Sequence, residues 1–284
     1  VTFDFLNVPY KEPMMKAFTR LLNLCVTLLM SCASALWAQN QNDVLTAHFD
    51  AGWRTDHGTH ISGLKIDLAA GWKTYWRVPG EAGIPAQFDW SGSHNLKSAQ
   101  VIWPHPQVFH LQGLQSIGYY GGVMLPFEFT PLDPSQPIEI IGRIDLGICK
   151  DICMPALLNL NEMLPATLKQ TQNPVLIAAI SAQPKSIPAA SLSKISCSFT
   201  PITGGLEVTA RLVLPDMGVI EALTIEPRQS AWVSDAYLTH TGGLLTATTQ
   251  IFPLHTPFFL DRSTLRLTAI TKSQTLEVIG CPAP

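Results

Sequence analysis

The sequence predicts an all-β chain folded as two β-sandwich domains with one short connecting helix. Three observations carry this reading. Twenty-two prolines and nineteen glycines among 284 residues break the chain into many short apolar runs. Several of those runs alternate apolar and polar residues with a period of two, the pattern of strands that bury one face. Turn-forming clusters recur between them, as at Ala70-Gly71, Pro79-Gly80, Ser91-Gly92-Ser93 and Asp133-Pro134-Ser135, at the spacing of a sandwich.

The chain begins with a stretch that belongs to no domain. Residues 1–13 fit no targeting pattern. From Met14 or Met15 onward, Lys16 and Arg20 supply a positive segment, Leu21 to Met30 an apolar run, and Ala33-Ser34-Ala35 a small-x-small cleavage site, with Ala38 as second choice. The run is shorter than the roughly 20 residues that span a bilayer. Residues 1–38 are therefore expected to be an upstream extension and a cleaved signal peptide. The alternatives are an uncleaved anchor and, from Leu29-Met30-Ser31-Cys32, a lipoprotein. The expected product is soluble and extracytoplasmic, where disulfides persist. A net charge of −3, 14% charged residues and no clustered basic run argue against nucleic acid as a partner.

The first domain is expected over 43–183. Leu64, Ile66 and Leu68 alternate with Lys65 and Asp67, and further strands are expected at 44–53, 85–90, 97–103, 122–130 and 137–146. A helix is expected over 173–183, because Asn173 suits an N-cap, Pro174 suits the first helical position, and Leu176, Ile177 and Ile180 fall on one face before Pro184 ends it. Residues 184–194, rich in Pro, Ala and Ser, read as a linker. The second domain is expected over 195–284. There Leu206, Val208, Ala210, Leu212 and Leu214 alternate with Glu207, Thr209, Arg211 and Val213, and strands at 264–271 and 274–280 flank Lys272-Ser273 as a hairpin. No repeat of 20–50 residues is found.

Cleavage removes Cys25 and Cys32 and leaves Cys149, Cys153, Cys197 and Cys281, which allow three pairings. Pairing 149 with 153 and 197 with 281 keeps each bridge inside one expected domain and is favoured for that reason. Loop-closure entropy then separates their roles. The short loop contributes about 2 kcal/mol and the long one, of about 85 residues, roughly 4.6 kcal/mol. The long bridge is the staple of the second domain. The short one is the weaker staple and the more easily reduced, which points to a dithiol that opens and closes. Lys150 would favour a neighbouring thiolate and Asp151 would oppose it. The C-x3-C spacing is not the C-x-x-C of thioredoxin, and two cysteines without a partnered Cys or His pair do not make a zinc site.

The run from Gly63 to Pro155 resembles the N-terminal periplasmic domain of the thiol:disulfide interchange protein DsbD, and most closely its ScsB-like branch with a C-x3-C-x-P motif. The matching pieces are 71–77 (GWKTYWR), 83–85 (GIP), 88–90 (FDW), 103–104 (WP), 116–121 (SIGYYG) and 147–155 (GICKDICMP). The second half resembles the further immunoglobulin-like domain of that branch. The resemblance implies two immunoglobulin-like sandwiches, a redox-active pair at Cys149 and Cys153, and no organic cofactor. It implies a thioredoxin-like or DsbD/CcdA-type membrane reductant as electron donor and periplasmic protein disulfides as acceptors. It also implies a short aromatic cap over the pair, which maps onto Tyr119 and Tyr120 between the hinge-like Gly118 and Gly121, with Tyr75 as a further aromatic nearby. The sequence stops at Pro284 before any membrane or thioredoxin-like domain, so the expected donor is a separate protein.

A rival reading is a non-catalytic periplasmic binding module with purely structural disulfides. Other candidates are weaker. His57 with His60, and His105 with His110, read as loop histidines before metal ligands. Trp72, Trp76, Trp90 and Trp103 could line a groove but suit a sandwich core better. No serine-hydrolase elbow, phosphate loop or dinucleotide fingerprint is found.

Overall fold

The structure, a computed structural model, describes residues 40–111, 113–167 and 173–284. The signal-peptide reading of 1–38, with Cys25 and Cys32, lies outside the described residues. What is described is mainly β. Among these residues no helix is long and apolar enough to cross a membrane.

Two sheets enclose the first core. One orders the strands Leu45–Arg54, His60–Leu68, Gly122–Pro131 and Leu96–Val101. The other orders Cys153–Leu164, Ile138–Cys149, Lys73–Tyr75, Leu114–Tyr120 and Gln107–Leu111, with Gln87–Asp89 also pairing Ile138–Cys149. Alternation decides which side chains meet between the sheets. Ile138, Ile140, Ile144, Leu146 and Ile148 point inward from one strand, opposite Leu64, Ile66, Leu125, Phe127 and Phe129. Trp90 closes this core edge-on, its ring centroid 5.5 Å from Phe127 and 5.4 Å from Phe129. The tryptophans of the sequence therefore fill or flank the core: Trp72 and Trp76 are buried in it, and Trp90 and Trp103 pack against it.

The second half has its own pair of sheets and its own core. One orders Lys185–Pro188, Thr275–Ile279, Arg266–Ile270 and Ala222–Glu226, and the other Ile195–Ile202, Gly205–Leu212, Leu244–Pro253 and Ala231–Val233, with Tyr237–Thr241 also on Leu244–Pro253. The bond Cys197–Cys281 crosses this core, both residues being buried, with Cα atoms 5.6 Å apart. Arg262 donates to the Cys197 carbonyl oxygen at 2.7 Å while its guanidinium lies over the Phe199 ring.

Two connections show where local signals hold and where they fail. The helix is Pro174–Ser181, and the Asn173 side chain accepts from the Val175 N–H at 2.8 Å, which satisfies one of the first free donors of the helix. Its Leu176 is fully buried and sits against Gly63, where a Cβ would come within 2.9 Å of it. The stretch 184–194 expected as a linker is instead structured. Lys185–Pro188 adds to the sheet edge in parallel with Thr275–Ile279, and Ala189–Ser191 forms a 3-10 turn. Ile187 and Ala189 pack on the second core, which holds this segment in place despite its linker-like composition.

The halves meet through a cation held by two carboxylates. Arg77 donates from Nε to Glu226 at 2.9 Å and from a terminal nitrogen to Glu277 at 2.7 Å, and it also bonds Thr268. Its guanidinium lies 4.1 Å from the centre of the Trp76 ring. Only 14% of the Arg77 side chain is exposed, and the two carboxylates are buried almost as deeply. Removing the cation leaves two desolvated carboxylates with only the half-exposed Arg266 beside them. Arg77→Ala should therefore lower the unfolding free energy by about 3 kcal/mol or more, read from urea denaturation, and an effect under ~1 kcal/mol would contradict the buried pairing.

Candidate functional site

Cys149 ends one strand and Cys153 begins the next, and the two are direct partners across the hairpin that joins Ile138–Cys149 to Cys153–Leu164. Lys150, Asp151 and Ile152 make the turn. The sulfurs are bonded and the Cα atoms are 4.0 Å apart. Of the three pairings open to four cysteines, this bond and Cys197–Cys281 are the ones present.

Strand parity sets the face. Inward residues of Ile138–Cys149 are even-numbered, so Gly147 and Cys149 point to the outer face. Yet both are buried, and the alternation that runs cleanly up to Leu146 stops there. The outer face is covered at this end by Tyr75 and Ile84. A Cβ on Gly147 would come within 2.6 Å of the Ile84 Cβ and 3.1 Å of the Tyr75 ring, so glycine is what lets both pack down. The Tyr75 hydroxyl lies 3.4 Å from Cys153 Sγ and 3.4 Å from the Ala82 carbonyl oxygen. Burial pushes its pKa up, so the hydroxyl keeps its proton and serves as a donor.

The sulfurs are unequal. Cys149 is 7% exposed, on a strand flanked on both sides, by Lys73 and by Cys153. Cys153 is exposed, on the edge strand of the sheet. Ile152 beside it is 79% exposed. Lys73 lies on the same face, opposite Cys149 on one side and Tyr120 on the other. Its ammonium donates to Ser116 Oγ at 2.7 Å and sits over the Phe109 ring, and burial lowers its pKa.

The expected cap is placed differently. Tyr119 and Tyr120 belong to the strand Leu114–Tyr120, not to a loop, and parity sends them to opposite faces. Tyr119 points into the first core, where it is 6% exposed and donates to the Pro104 carbonyl oxygen at 2.9 Å. It cannot shield sulfurs on the other side of the sheet. Gly118 is no hinge: it is paired with Tyr75, and a Cβ there would come within 2.0 Å of the Thr74 carbonyl oxygen. Tyr120 shares the outer face but is two strands from Cys149, about 10 Å at ordinary strand spacing. Tyr75 alone of the three tyrosines touches the pair. The covering residues that sequence reasoning passed over are Ile84, inside Gly83-Ile84-Pro85, and Gly147, just ahead of the cysteines. Both lie in motif-like stretches, but only the strand register brings them together.

The histidines do not join the site. His60 is buried with Nε2 at 2.6 Å from the Ala51 carbonyl oxygen, and burial lowers its pKa. The His105 ring bonds Thr275 and the Lys272 carbonyl oxygen of the second half.

The class is thus a mainly-β protein with an outward-facing, partly shielded disulfide at a hairpin tip. Residues 41–164 match the family described as "Thiol:disulfide interchange protein DsbD, N-terminal". The chain shares its fold with the crystal structure of the N-terminal periplasmic domain of ScsB from Proteus mirabilis, at 22% identity and a TM-score of 0.59, over 87% of this chain and 96% of that one. A marsupial T cell receptor is also matched, at 6% identity and a TM-score of 0.18, over 82% of this chain and 93% of that one. No curated protein matches the chain.

The geometry separates the two tyrosines by experiment. Tyr119→Ala should cost about 3 kcal/mol or more in urea denaturation, as for other large core truncations, and leave reduction of the Cys149–Cys153 bond by a small thiol at its original rate. Tyr75→Ala also removes a buried ring, 3% exposed, and should cost a similar amount of stability, but it should speed that reduction. A faster reduction in Tyr119→Ala, or an unchanged one in Tyr75→Ala, would mean that the face assignment is wrong.

Proposed function

We propose that the Cys149–Cys153 pair is a thiol–disulfide exchange centre, passing two electrons between a reductant and the disulfides of other proteins. The observation that carries this is the bond's redundancy as a staple. It joins two residues already opposed at the end of a ladder twelve residues long, on the outer face and outside both cores. Cys197–Cys281 spans 84 residues within the second core and is the bond suited to stapling. The match of 41–164 to a family named for thiol:disulfide interchange supports the same reading.

The exposure difference supports a division of roles. In the oxidised state a donor thiolate attacks the exposed Cys153 sulfur, and Cys149 leaves as a thiolate. A second donor thiol then breaks the mixed disulfide and leaves the pair as a dithiol, with two electrons and two protons gained. In the return step the Cys153 thiolate attacks an acceptor disulfide, and Cys149 displaces the acceptor as it closes the internal bond again. The Tyr75 hydroxyl, 3.4 Å from Cys153 Sγ, is placed to donate to the thiolate. Lys73, as the cross-strand neighbour of Cys149, adds a positive charge to the same face.

In this reading the redox domain is 43–183 and the second domain 195–284, both as immunoglobulin-like sandwiches. The compartment is the periplasm, the compartment of the similar ScsB domain. The donor is a thioredoxin-like or DsbD/CcdA-type membrane reductant, and the acceptors are periplasmic protein disulfides. No metal or organic group is required by the step.

Two measurements test it. The reduction potential of the pair should lie above about −300 mV, in the range of exchange proteins; a lower value would mark the bond as structural and favour the non-catalytic binding module. Cys149→Ser should accumulate mixed disulfides through Cys153 with partner proteins. Cys153→Ser should accumulate far less, because the remaining sulfur is buried.

A further inference from the structure

The segment that packs on Gly147 and Tyr75, beside the sulfurs, is tied to the second half of the chain. The segment Pro79–Pro85 leaves the strand Lys73–Tyr75 through Trp76 and Arg77, crosses the edge of the site and lays Ile84 over Gly147. Within the first half it is held by few bonds. The Ile117 N–H donates to the Pro79 carbonyl oxygen at 2.8 Å, the Ala82 N–H to the Gln115 carbonyl oxygen at 3.3 Å, and the Tyr75 hydroxyl reaches the Ala82 carbonyl oxygen at 3.4 Å. Its next tie is to Asp235, which lies between the strands Ala231–Val233 and Tyr237–Thr241. The Glu81 N–H donates to Asp235 Oδ1 at 3.2 Å, and the Asp235 N–H donates to Glu81 Oε1 at 3.1 Å. The pair is reciprocal, each backbone donor meeting the other residue's carboxylate. Gly80, at φ +78°, brings the segment close: a Cβ there would come within 3.0 Å of the Asp235 carboxylate and 2.9 Å of the Gln115 carbonyl oxygen.

Behind the segment there is room. A cleft of about 370 Å³ opens between Pro79, Glu81 and Gly83 on one wall and Gln229 and Trp232 on the other. The segment is thus tied to the second half at Asp235, and on that side it is otherwise bordered by the cleft.

We infer that Asp235 is a positioning residue for the exchange centre: its reciprocal bonds with Glu81 hold Pro79–Pro85 closed over the Cys149–Cys153 bond. The second half then does more than extend the fold. It sets how often the sulfurs are uncovered, and a partner that displaces the Glu81–Asp235 pair uncovers them. This deepens the proposed exchange function and rests on it for its purpose, but the closure itself is measured without it.

The test is the rate at which a small thiol reduces Cys149–Cys153 in the whole protein, followed by alkylation and mass spectrometry. Asp235→Ala loses the acceptor of the Glu81 N–H and should raise the rate by about three- to tenfold, the gain in open population expected from losing one hydrogen bond of ordinary strength. Asp235→Asn keeps the Oδ1 acceptor and the backbone donor and should stay within about twofold of the parent. Glu81→Ala loses the other of the two bonds, the one accepted by its own carboxylate, and should raise the rate by a similar factor. The Cys197–Cys281 bond acts as the control: its rate of reduction should not move, so that a gain from general loosening is told apart. An unchanged rate in both alanine variants, or an equal gain in Asp235→Asn, would overturn the inference. A parent potential below about −300 mV would instead sink the exchange function while leaving these rate ratios interpretable.

Discussion

A slip of one residue in the pairing of Ile138–Cys149 with Cys153–Leu164 would put the two sulfurs on opposite faces of the sheet. The site depends on that register. It is fixed by the inward row Ile138, Ile140, Ile144, Leu146 and Ile148, five branched residues whose burial outweighs any preference of the turn. Each buried side chain of this size contributes about 1.5–3 kcal/mol, so moving the row to the solvent face costs far more than a short disulfide returns. The core therefore presents the cysteines, and the bond between them can open without the hairpin losing its alignment. That separation of structural from chemical duty suits a pair meant to cycle.

The same parity argument distributes the neighbours. Tyr75 and Lys73 share the outer face with the sulfurs because they pair with Gly118 and with Tyr120 and Cys149, while Thr74 and Trp76 turn inward. Trp76 in the core then supports Arg77, whose guanidinium stacks on its ring and binds Glu226 and Glu277 of the second half. Three consecutive residues thus touch the sulfurs, the first core and the other half of the chain. The segment that follows them, Pro79–Pro85, inherits its position from that anchor at one end and returns over the site at the other.

What the sequence made legible was local or strictly periodic. The Asn173-Pro174 start of the helix is written in neighbouring residues, and so is the Arg266–Ile270 and Thr275–Ile279 hairpin. The long alternation at 206–214 appears as Gly205–Leu212. What was hidden depended on distant pairing. Lys73–Tyr75 is three residues long, too short for a period to show. Cys153–Leu164 opens with Met154-Pro155, which reads as a strand break, yet proline is tolerated on an edge. The strand at Lys185–Pro188 has the composition of a linker and exists because Thr275–Ile279 leaves an edge for it. Tyr119 was singled out over Tyr75 because it sits between glycines. Which of them faces the sulfurs is a question of register between strands more than forty residues apart, and that is not written near either one.

The edge position of Cys153 also bears on how another protein can approach. An edge strand normally invites a further strand, but this one is blunted where the sulfur lies. Leu157 already gives its N–H and its carbonyl oxygen to the side-chain amide of Gln41, at 2.8 and 2.9 Å. Two residues back along the same side, Pro155 has no N–H to give. Only Cys153 itself remains before the turn, and one residue cannot start a ladder. In the proposed exchange a partner would therefore be met by side chains, those of Cys153 and the exposed Ile152 first, and not by strand addition. Such an encounter is short-lived unless a covalent bond forms, which suits the proposed release of each partner after exchange.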